Sequence, residues 1–137
     1  MKKTLSSIEV YNKSQEPLDQ KICNLLLQTI DDGLAFTERK IWHAHPVWFI
    51  NENPIVGYSK LKNGVRLMFW SGMGFDEPGL EPGTGKFKDA SILYTDVDQV
   101  DTKQVKRWLK KSEQIQWDYK NIYKRKGKLL KLRIFSK

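Results

Sequence analysis

The sequence predicts an α+β fold, in which an antiparallel sheet of about four to five strands forms a meander between N-terminal and C-terminal helices. Apolar residues recur at helical spacing after Pro17. Short apolar runs separated by turn residues follow between residues 47 and 70 and indicate consecutive strands. Helical spacing returns after Asp101. The 137 residues suit a single domain, residues 1–137, with a buried core.

The N-terminal part predicts two helices behind a polar arm. Residues 1–15 are mixed and polar, and we expect a flexible arm there. Pro17 favours a first helical turn, because its missing N–H has no partner to lose there. The helix ends at Gly33. Its apolar stripe comprises Leu18, Ile22, Leu25, Leu26 and Ile30. A second, shorter helix is predicted from Thr37 to Ala44, with Pro46 preventing its continuation.

The central part predicts the sheet. Strands are expected over residues 47–50, 55–61 and 65–70, joined by short turns that impose antiparallel pairing. The turn Lys62-Asn63-Gly64 contains the Asn-Gly pair typical of a type I′ hairpin. A loop rich in Gly and Pro follows over residues 71–86, and a fourth strand over residues 87–95, with a possible interruption at residues 88–89.

The C-terminal part predicts further helix. Asp101-Thr102 has the chemistry of an N-terminal cap. The apolar side shifts phase near residues 111–113, so we expect either two helices or one bent helix ending at Gly127. That side comprises Val105, Trp108, Leu109, Ile115, Tyr119 and Ile122. Residues 128–137 form a tail, which is either an edge strand or a docked arm.

Composition indicates a soluble cytoplasmic protein without membrane association, either a monomer or a homodimer. The single cysteine, Cys23, lies in an apolar helical stretch, so a buried, unreactive thiol is expected. One cysteine cannot form an internal disulfide, which favours a reducing compartment. The residues after Met1 are too polar for a secretory signal.

The positive charge is concentrated at the C-terminal end. Residues 1–101 carry 11 Lys and Arg against 14 Asp and Glu, whereas residues 102–137 carry 13 against 2. Interleaved aromatic residues would let this region bind a nucleic acid or another polyanion. The polyanion-binding candidates are Lys120, Lys124, Arg125, Lys126 and Lys128. The alternative, which we favour, is a solvated face whose aromatic residues point inward.

Several motifs give weaker signals. His43 and His45 are the first metal candidates, but two imidazoles do not complete a site, and we assign no metal. The segment Gly83-Thr84-Gly85-Lys86 lacks the spacing and the hydroxyl of a P-loop. Asp96, Asp98 and Asp101 lack the EF-hand pattern and suit strand-end and helix-capping roles. No nucleophile–base motif is present, so we assign no catalytic residue.

The segment from Glu38 to Tyr58 resembles the YdhG-like domain of unknown function. The similarity rests on Ile41-Trp42-x-x-x-Pro46-x-Trp48-Phe49 followed by Pro54-Ile55-Val56-Gly57-Tyr58, and it extends over roughly residues 18–125. The resemblance implies a frataxin-like fold with helices packed on one face of an antiparallel sheet. It also implies iron as a ligand, because some members are described as iron chaperones with an acidic ridge near the first helix. In this sequence the acids there, Glu16, Asp19, Asp31 and Asp32, lie about two to three helical turns apart.

These patterns together lead to two hypotheses. The first is a non-enzymatic carrier or binding protein for a small ligand, or for iron, with a groove lined by aromatic residues. The expected ligand-binding residues are Trp42, His43, His45, Trp48, Tyr58 and Trp70. The second is polyanion binding by the basic C-terminal helix. An enzyme with a histidine general base is a third, weaker hypothesis, since histidine chemistry suits that role but no motif positions it.

Overall fold

The computed structural model describes residues 6–83, 85, 87–122, 124, 126 and 128–132, and it confirms the α+β class. In these residues the helices are α1 (Ser7–Lys13), α2 (Pro17–Gly33) and α3 (Thr102–Gln114). The strands are β1 (Glu38–Trp42), β2 (His45–Ile50), β3 (Asn53–Leu61), β4 (Gly64–Phe69), β5 (Glu81–Pro82) and β6 (Ala90–Tyr94). Short 3₁₀ turns occupy Gly72–Phe75 and Val97–Gln99.

The strands form one antiparallel sheet in the order β1-β2-β3-β4-β6-β5. Strands β2, β3 and β4 are the predicted meander, whereas β1 and β5 were not predicted as strands, so the sheet has six strands in the described part of the chain instead of four to five. The predicted fourth strand begins only at Ala90, where it pairs with Phe69.

The predicted helix over residues 37–44 is wrong, because this segment is strand β1. Its residues alternate between the two faces of the sheet, with Arg39 and Ile41 toward the helices and Lys40 and Trp42 on the other side. His43 and Ala44 both have positive φ and make the two-residue turn into β2. The charged residues among the apolar ones concealed this alternation.

The predicted type I′ turn at Asn63-Gly64 is also wrong. Leu61 pairs with Gly64, so Lys62 and Asn63 are the central residues, and neither is among the described residues with positive φ. Where the structure describes the chain, the turns with two positive φ angles are His43-Ala44 and Asn51-Glu52. The hairpin was therefore predicted correctly, but its turn is displaced by one residue, which shifts the strand pairing by two.

The predicted flexible arm is wrong for its described part, residues 6–15. Ser6 caps α1 in a reciprocal capping box with Glu9. Ile8 is buried in the core, and the side chain of Asn12 accepts a hydrogen bond from the Tyr58 hydroxyl at 2.7 Å. Helix α1 is therefore part of the domain.

The predicted C-terminal helix ends earlier than expected. Asp101 caps α3, as predicted, but α3 stops at Gln114, and Ile115 has an extended backbone. Residues 115–122 continue without a helix, and Trp117 forms an isolated bridge with Lys131, so part of the tail is docked on the domain. Gly127 and residues 133–137 lie outside the described residues.

One face of the sheet packs on the three helices and forms the core. Inward residues of β2, β3 and β4, such as Trp48, Val56 and Leu67, share a cluster with Leu26 of α2 and Trp108 of α3. Cys23 is fully buried in this cluster, and burial raises the pKa of its thiol to about 12, which confirms the expected buried thiol. No helix among the described residues combines the length and apolarity needed to cross a membrane.

Candidate functional site

The face of the sheet opposite the helices contains a groove with a volume of about 710 Å³. This volume is in the range of ligand pockets, roughly 300–1,000 Å³. Strand alternation determines its floor: Lys40 and Trp42 point to this face from β1, as does Met68 from β4. Its apolar and aromatic lining consists of Trp42, Phe49, Pro54, Met68, Trp70, Phe87, Tyr119 and Ile122.

Trp42 and Trp70 form the aromatic centre of the groove. Their ring centroids lie 6.1 Å apart, and Trp42 also contacts the Phe49 ring edge-on at 5.4 Å. Both tryptophans are half-buried, so part of each ring is accessible. Trp70 lies across β3 at Gly57, where an added Cβ would be 3.3 Å from the Trp70 ring and 2.5 Å from the Pro46 carbonyl oxygen. The absence of a side chain at Gly57 therefore leaves room for the Trp70 ring.

The second wall of the groove is the segment after α3. The Tyr119 hydroxyl donates to the Trp70 carbonyl oxygen at 2.5 Å and accepts from the Lys88 N–H at 3.0 Å. Burial raises the pKa of this hydroxyl to about 12, so it keeps its proton and remains a donor. The Tyr119 ring also packs 6.3 Å from Phe87.

Asn53 anchors the same wall to the start of β3. Its side-chain nitrogen donates to the Trp117 carbonyl oxygen at 2.9 Å, and its side-chain oxygen accepts from the N–H groups of Tyr119 and Lys120. The Trp117 N–H donates to the Ser71 hydroxyl at 2.9 Å. A buried amide therefore satisfies the backbone of a segment that has no regular secondary structure.

The charged lining of the groove is mixed, with a small positive excess. The described cations are Lys40, Lys120 and Lys124, and the carboxylates are Glu52 and Asp89. The ammonium of Lys40 lies 4.9 Å from the Phe49 ring centroid and 3.3 Å from the Glu38 carboxylate. The ammonium of Lys120 donates to the Asn51 carbonyl oxygen at 3.2 Å. An anionic group on a ligand would meet cations at both sides of the groove.

The structure separates the six residues expected to bind a ligand. Trp42 and Trp70 line the groove. Trp48 and Tyr58 do not, because both are fully buried on the helix face, where their rings pack 5.8 Å apart. The Trp48 indole N–H donates to Asp31 at 2.8 Å. The assignment of Trp48 and Tyr58 to the site is wrong, because alternation along β2 and β3 turns both side chains toward the core.

The two histidines lie beside the groove and do not form its lining. His43 is exposed in the β1–β2 turn, and its ring centroid is 4.2 Å from that of Trp42. His45 is half-buried, and burial lowers its pKa, with a smaller contribution from the charge of Arg66. Among the described residues, no three His, Cys, Asp or Glu side chains gather as a metal site.

Two of the four acids near α2 form ion pairs with residues of the sheet. Asp19 forms an ion pair with Lys60 at 3.0 Å. Asp31 pairs with Arg39 at 3.4 Å, in addition to its bond with the Trp48 indole. Two of the four acids named from the YdhG-like resemblance thus hold the helix against the sheet.

Only some of the residues predicted to bind a polyanion line the groove. Lys120 and Lys124 line the groove. Lys126 and Lys128 are exposed, and Arg125 lies outside the described residues. None of the four described lysines is on a helix, so the idea of a basic helix is wrong as a description of this segment. Residues predicted to bind a small ligand and residues predicted to bind a polyanion thus line the same groove.

Sequence reasoning missed several groove residues. Met68 precedes Trp70 by two positions, so strict strand alternation would have placed both on one face. Tyr119 was assigned to the buried side of a helix that does not continue to it. Phe87, Asp89 and Asn121 carry no periodic signal, because they follow from loop conformation.

No protein-family model, no curated protein and no solved structure matches this chain.

Proposed function

We propose that this protein is a non-enzymatic cytoplasmic binding protein, and that its groove holds a small planar ligand with negative charge. The observation that carries the proposal is the shared location of two accessible tryptophan rings and three lysines around one cavity of about 710 Å³. Aromatic side chains bind planar ligands by stacking, and lysines supply a counter-charge at the rim.

The arrangement of the rings favours a planar ligand. The Trp70 ring lies close to Gly57, and the Tyr119 hydroxyl donates a hydrogen bond to the Trp70 carbonyl oxygen. The backbone of Trp70 is thus fixed, and its ring lies close to Gly57, before a ligand arrives, which reduces the entropy lost on binding. The Trp42 ring is inclined to it by 42°, which leaves the two rings splayed and not stacked on each other. A flat ligand can then stack on either tryptophan ring without displacing the other.

The chemistry of the lining favours binding over catalysis. The described carboxylates of the groove, Glu52 and Asp89, lie among apolar and aromatic residues, and within the described part of the chain neither is hydrogen-bonded to a histidine or a hydroxyl nucleophile. Stacking and charge complementarity hold a ligand without activating a bond in it.

Adenosine monophosphate and adenosine are suitable probes, because they share a planar base and differ in the phosphate. We expect both to quench tryptophan fluorescence, with tighter binding of the monophosphate. Trp42→Ala should weaken binding about tenfold or more, since stacking of a base on an aromatic ring contributes about 1–3 kcal/mol. Leu93→Ala is the matched control, because Leu93 is exposed outside the groove.

The charge component is tested by Lys120→Gln with Lys103→Gln as control. Lys103 is exposed on α3 and carries the same charge outside the groove. We expect Lys120→Gln to reduce the preference for adenosine monophosphate over adenosine and Lys103→Gln to leave it unchanged. Absence of saturable binding by both probes, or equal losses in Trp42→Ala and Leu93→Ala, contradicts the proposal. Ferrous iron is titrated in parallel by calorimetry, because the YdhG-like resemblance implies it.

Single-stranded nucleic acid is the second candidate. The exposed residues Lys126 and Lys128 continue the positive charge beyond the groove, and the Phe87–Tyr119 pair offers a second aromatic contact. A thymidine oligonucleotide should bind with an affinity that decreases linearly with the logarithm of salt concentration. No binding at low salt, with adenosine monophosphate still bound, would remove this candidate and leave the first.

A further inference from the structure

A row of polar side chains crosses the open face of the sheet next to the groove. Arg66 of β4 pairs with Ser59 of β3 on one side and with Leu93 of β6 on the other. Val47 of β2 pairs with Gly57 of β3, and this register continued by two residues places His45 opposite Ser59. Directly paired residues of antiparallel strands share a face. His45, Ser59 and Arg66 therefore lie side by side on three neighbouring strands.

Two buried nitrogen atoms in this row make no hydrogen bond of good geometry in the described part of the chain, although the Pro46 carbonyl oxygen acts on the His45 ring and raises its pKa. They are Nδ1 of His45 and Nε of Arg66. Buried polar atoms are nearly always bonded in native proteins, so each exception requires an explanation. Only four such side-chain atoms occur among the described residues, and two of them fall on this row. Their coincidence points to a group that both side chains can bind.

The electrostatics of the row indicate the sign of that group. No carboxylate forms an ion pair with Arg66 among the described residues. The positive charge of Arg66 contributes to the lowered pKa of His45, so the two side chains lie close enough to interact electrostatically. A planar guanidinium, an imidazole N–H and a hydroxyl are three donors suited to oxygen atoms of an anion.

We propose that His45, Ser59 and Arg66 form a binding site for an oxyanion of the phosphate class. The three side chains are half-buried, but the two unbonded nitrogen atoms are covered, so the anion reaches them from the solvent side of the sheet once the outer atoms of these side chains move aside. Arg66 provides the charge and the planar donors, while Ser59 on the adjacent strand and His45 on the strand beyond it add one hydrogen bond each. None of these residues lines the groove, so the site does not depend on the function proposed for it.

The test is a titration of the whole protein with inorganic phosphate, followed by NMR of the His45 imidazole. We expect a saturable change in the His45 signals, and Arg66→Gln should weaken the apparent affinity about tenfold or more, as expected for loss of a charged hydrogen bond. Lys62→Gln is the matched control, because it removes one exposed positive charge from the adjacent turn. Arg66→Lys should retain part of the affinity, because it keeps the charge without the planar donors.

A second arm distinguishes two sources of the phosphate. If Arg66→Gln also weakens binding of adenosine monophosphate but not of adenosine, the anion is part of the groove ligand. If it weakens only inorganic phosphate, the site takes a free anion; both results support the site. A His45 spectrum unchanged by phosphate, or equal weakening in Arg66→Gln and Lys62→Gln, overturns it. Amide spectra of each variant verify folding, and adenosine binding reports separately on the groove.

Discussion

The hydroxyl of Tyr119 donates a hydrogen bond to the carbonyl oxygen of Trp70 at 2.5 Å. This bond joins the segment after α3 to the residue that follows β4, and both residues line the groove. Trp70 and Tyr119 are 49 positions apart in the chain. The wall of the groove therefore depends on a tertiary contact and not on any local structural preference of residues 115–122.

Removal of this hydroxyl should destabilise the protein. In Tyr119→Phe, the Trp70 carbonyl oxygen and the Lys88 N–H each lose a partner. We expect a decrease of about 1–3 kcal/mol in the free energy of unfolding, measured with urea, because partly buried groups are left unsatisfied. Tyr94→Phe is the control: the buried Tyr94 hydroxyl has no partner among the described residues, so its removal should be neutral or stabilising. A larger loss in Tyr94→Phe than in Tyr119→Phe would contradict this account.

Gly57 should not tolerate a side chain. A Cβ at this position would lie 2.5 Å from the Pro46 carbonyl oxygen and 3.2 Å from Val47, both of which are on the neighbouring strand. We expect Gly57→Ala to lower the free energy of unfolding by about 1–3 kcal/mol, as overpacking does, and to alter Trp70 fluorescence. Gly85→Ala is the matched control, since nothing lies within 4 Å of its added Cβ. Equal stability of the two variants would exclude the close approach at Gly57.

Asn53 should control the attachment of the segment after α3. Asn53→Ala removes one donor to Trp117 and one acceptor shared by Tyr119 and Lys120. Hydrogen exchange at the Tyr119 amide should accelerate at least about tenfold, since the loss of one buried hydrogen bond costs about 1–3 kcal/mol. Amides of β3 and β4 report on the rest of the domain. Uniform acceleration at all these amides would mean that Asn53 stabilises the whole fold and has no specific role in this segment.

Glu77 should make stability dependent on acid pH. Its carboxylate accepts hydrogen bonds from Arg107, Trp108 and Lys111, and these contacts lower its pKa to about 2, with the Arg107 bonds the largest cause. In the unfolded chain a glutamate has an ordinary pKa of about 4.3. The stabilisation is therefore fully present above that pH and is lost as the pH falls toward about 2.

The measurement is the difference in unfolding free energy between the wild type and Glu77→Gln from pH 7 to pH 2. We expect the variant to be less stable by about 1–3 kcal/mol at pH 7, with the difference decreasing below about pH 4.3. Glu81→Gln serves as control, because Glu81 is exposed on β5. A difference that stays constant down to pH 2 would show that the charge of Glu77 does not contribute.

Local chemistry was sufficient to predict much of the fold. Pro17 and Gly33 bound α2 as expected, and Asp101 caps α3. The turns between residues 47 and 70 produced the meander. The errors occurred where local signals were weak or ambiguous, as in β1, whose charged residues mask the alternation that strand pairing with β2 imposes.

The candidate site was predicted only in part. Trp42 and Trp70 were identified as aromatic residues in strand-like segments, but Trp48 and Tyr58 were grouped with them, because composition does not distinguish the two faces of a sheet. The helix predicted through Tyr119 concealed the second wall of the groove. Helical spacing of apolar residues does not show whether a helix or an irregular segment carries them.

The sequence by itself determined the α+β class, the meander of β2, β3 and β4, both ends of α2, the start of α3 and the buried state of Cys23, because these depend on periodicity, caps and turn residues close together in the chain. Only the tertiary structure decided which face each aromatic residue occupies, and that Lys120 and Lys124 join Trp42 and Trp70 around one groove. The physical reason is that the groove forms between segments held by distant contacts, such as those of Asn53 and Tyr119, and no local pattern encodes them.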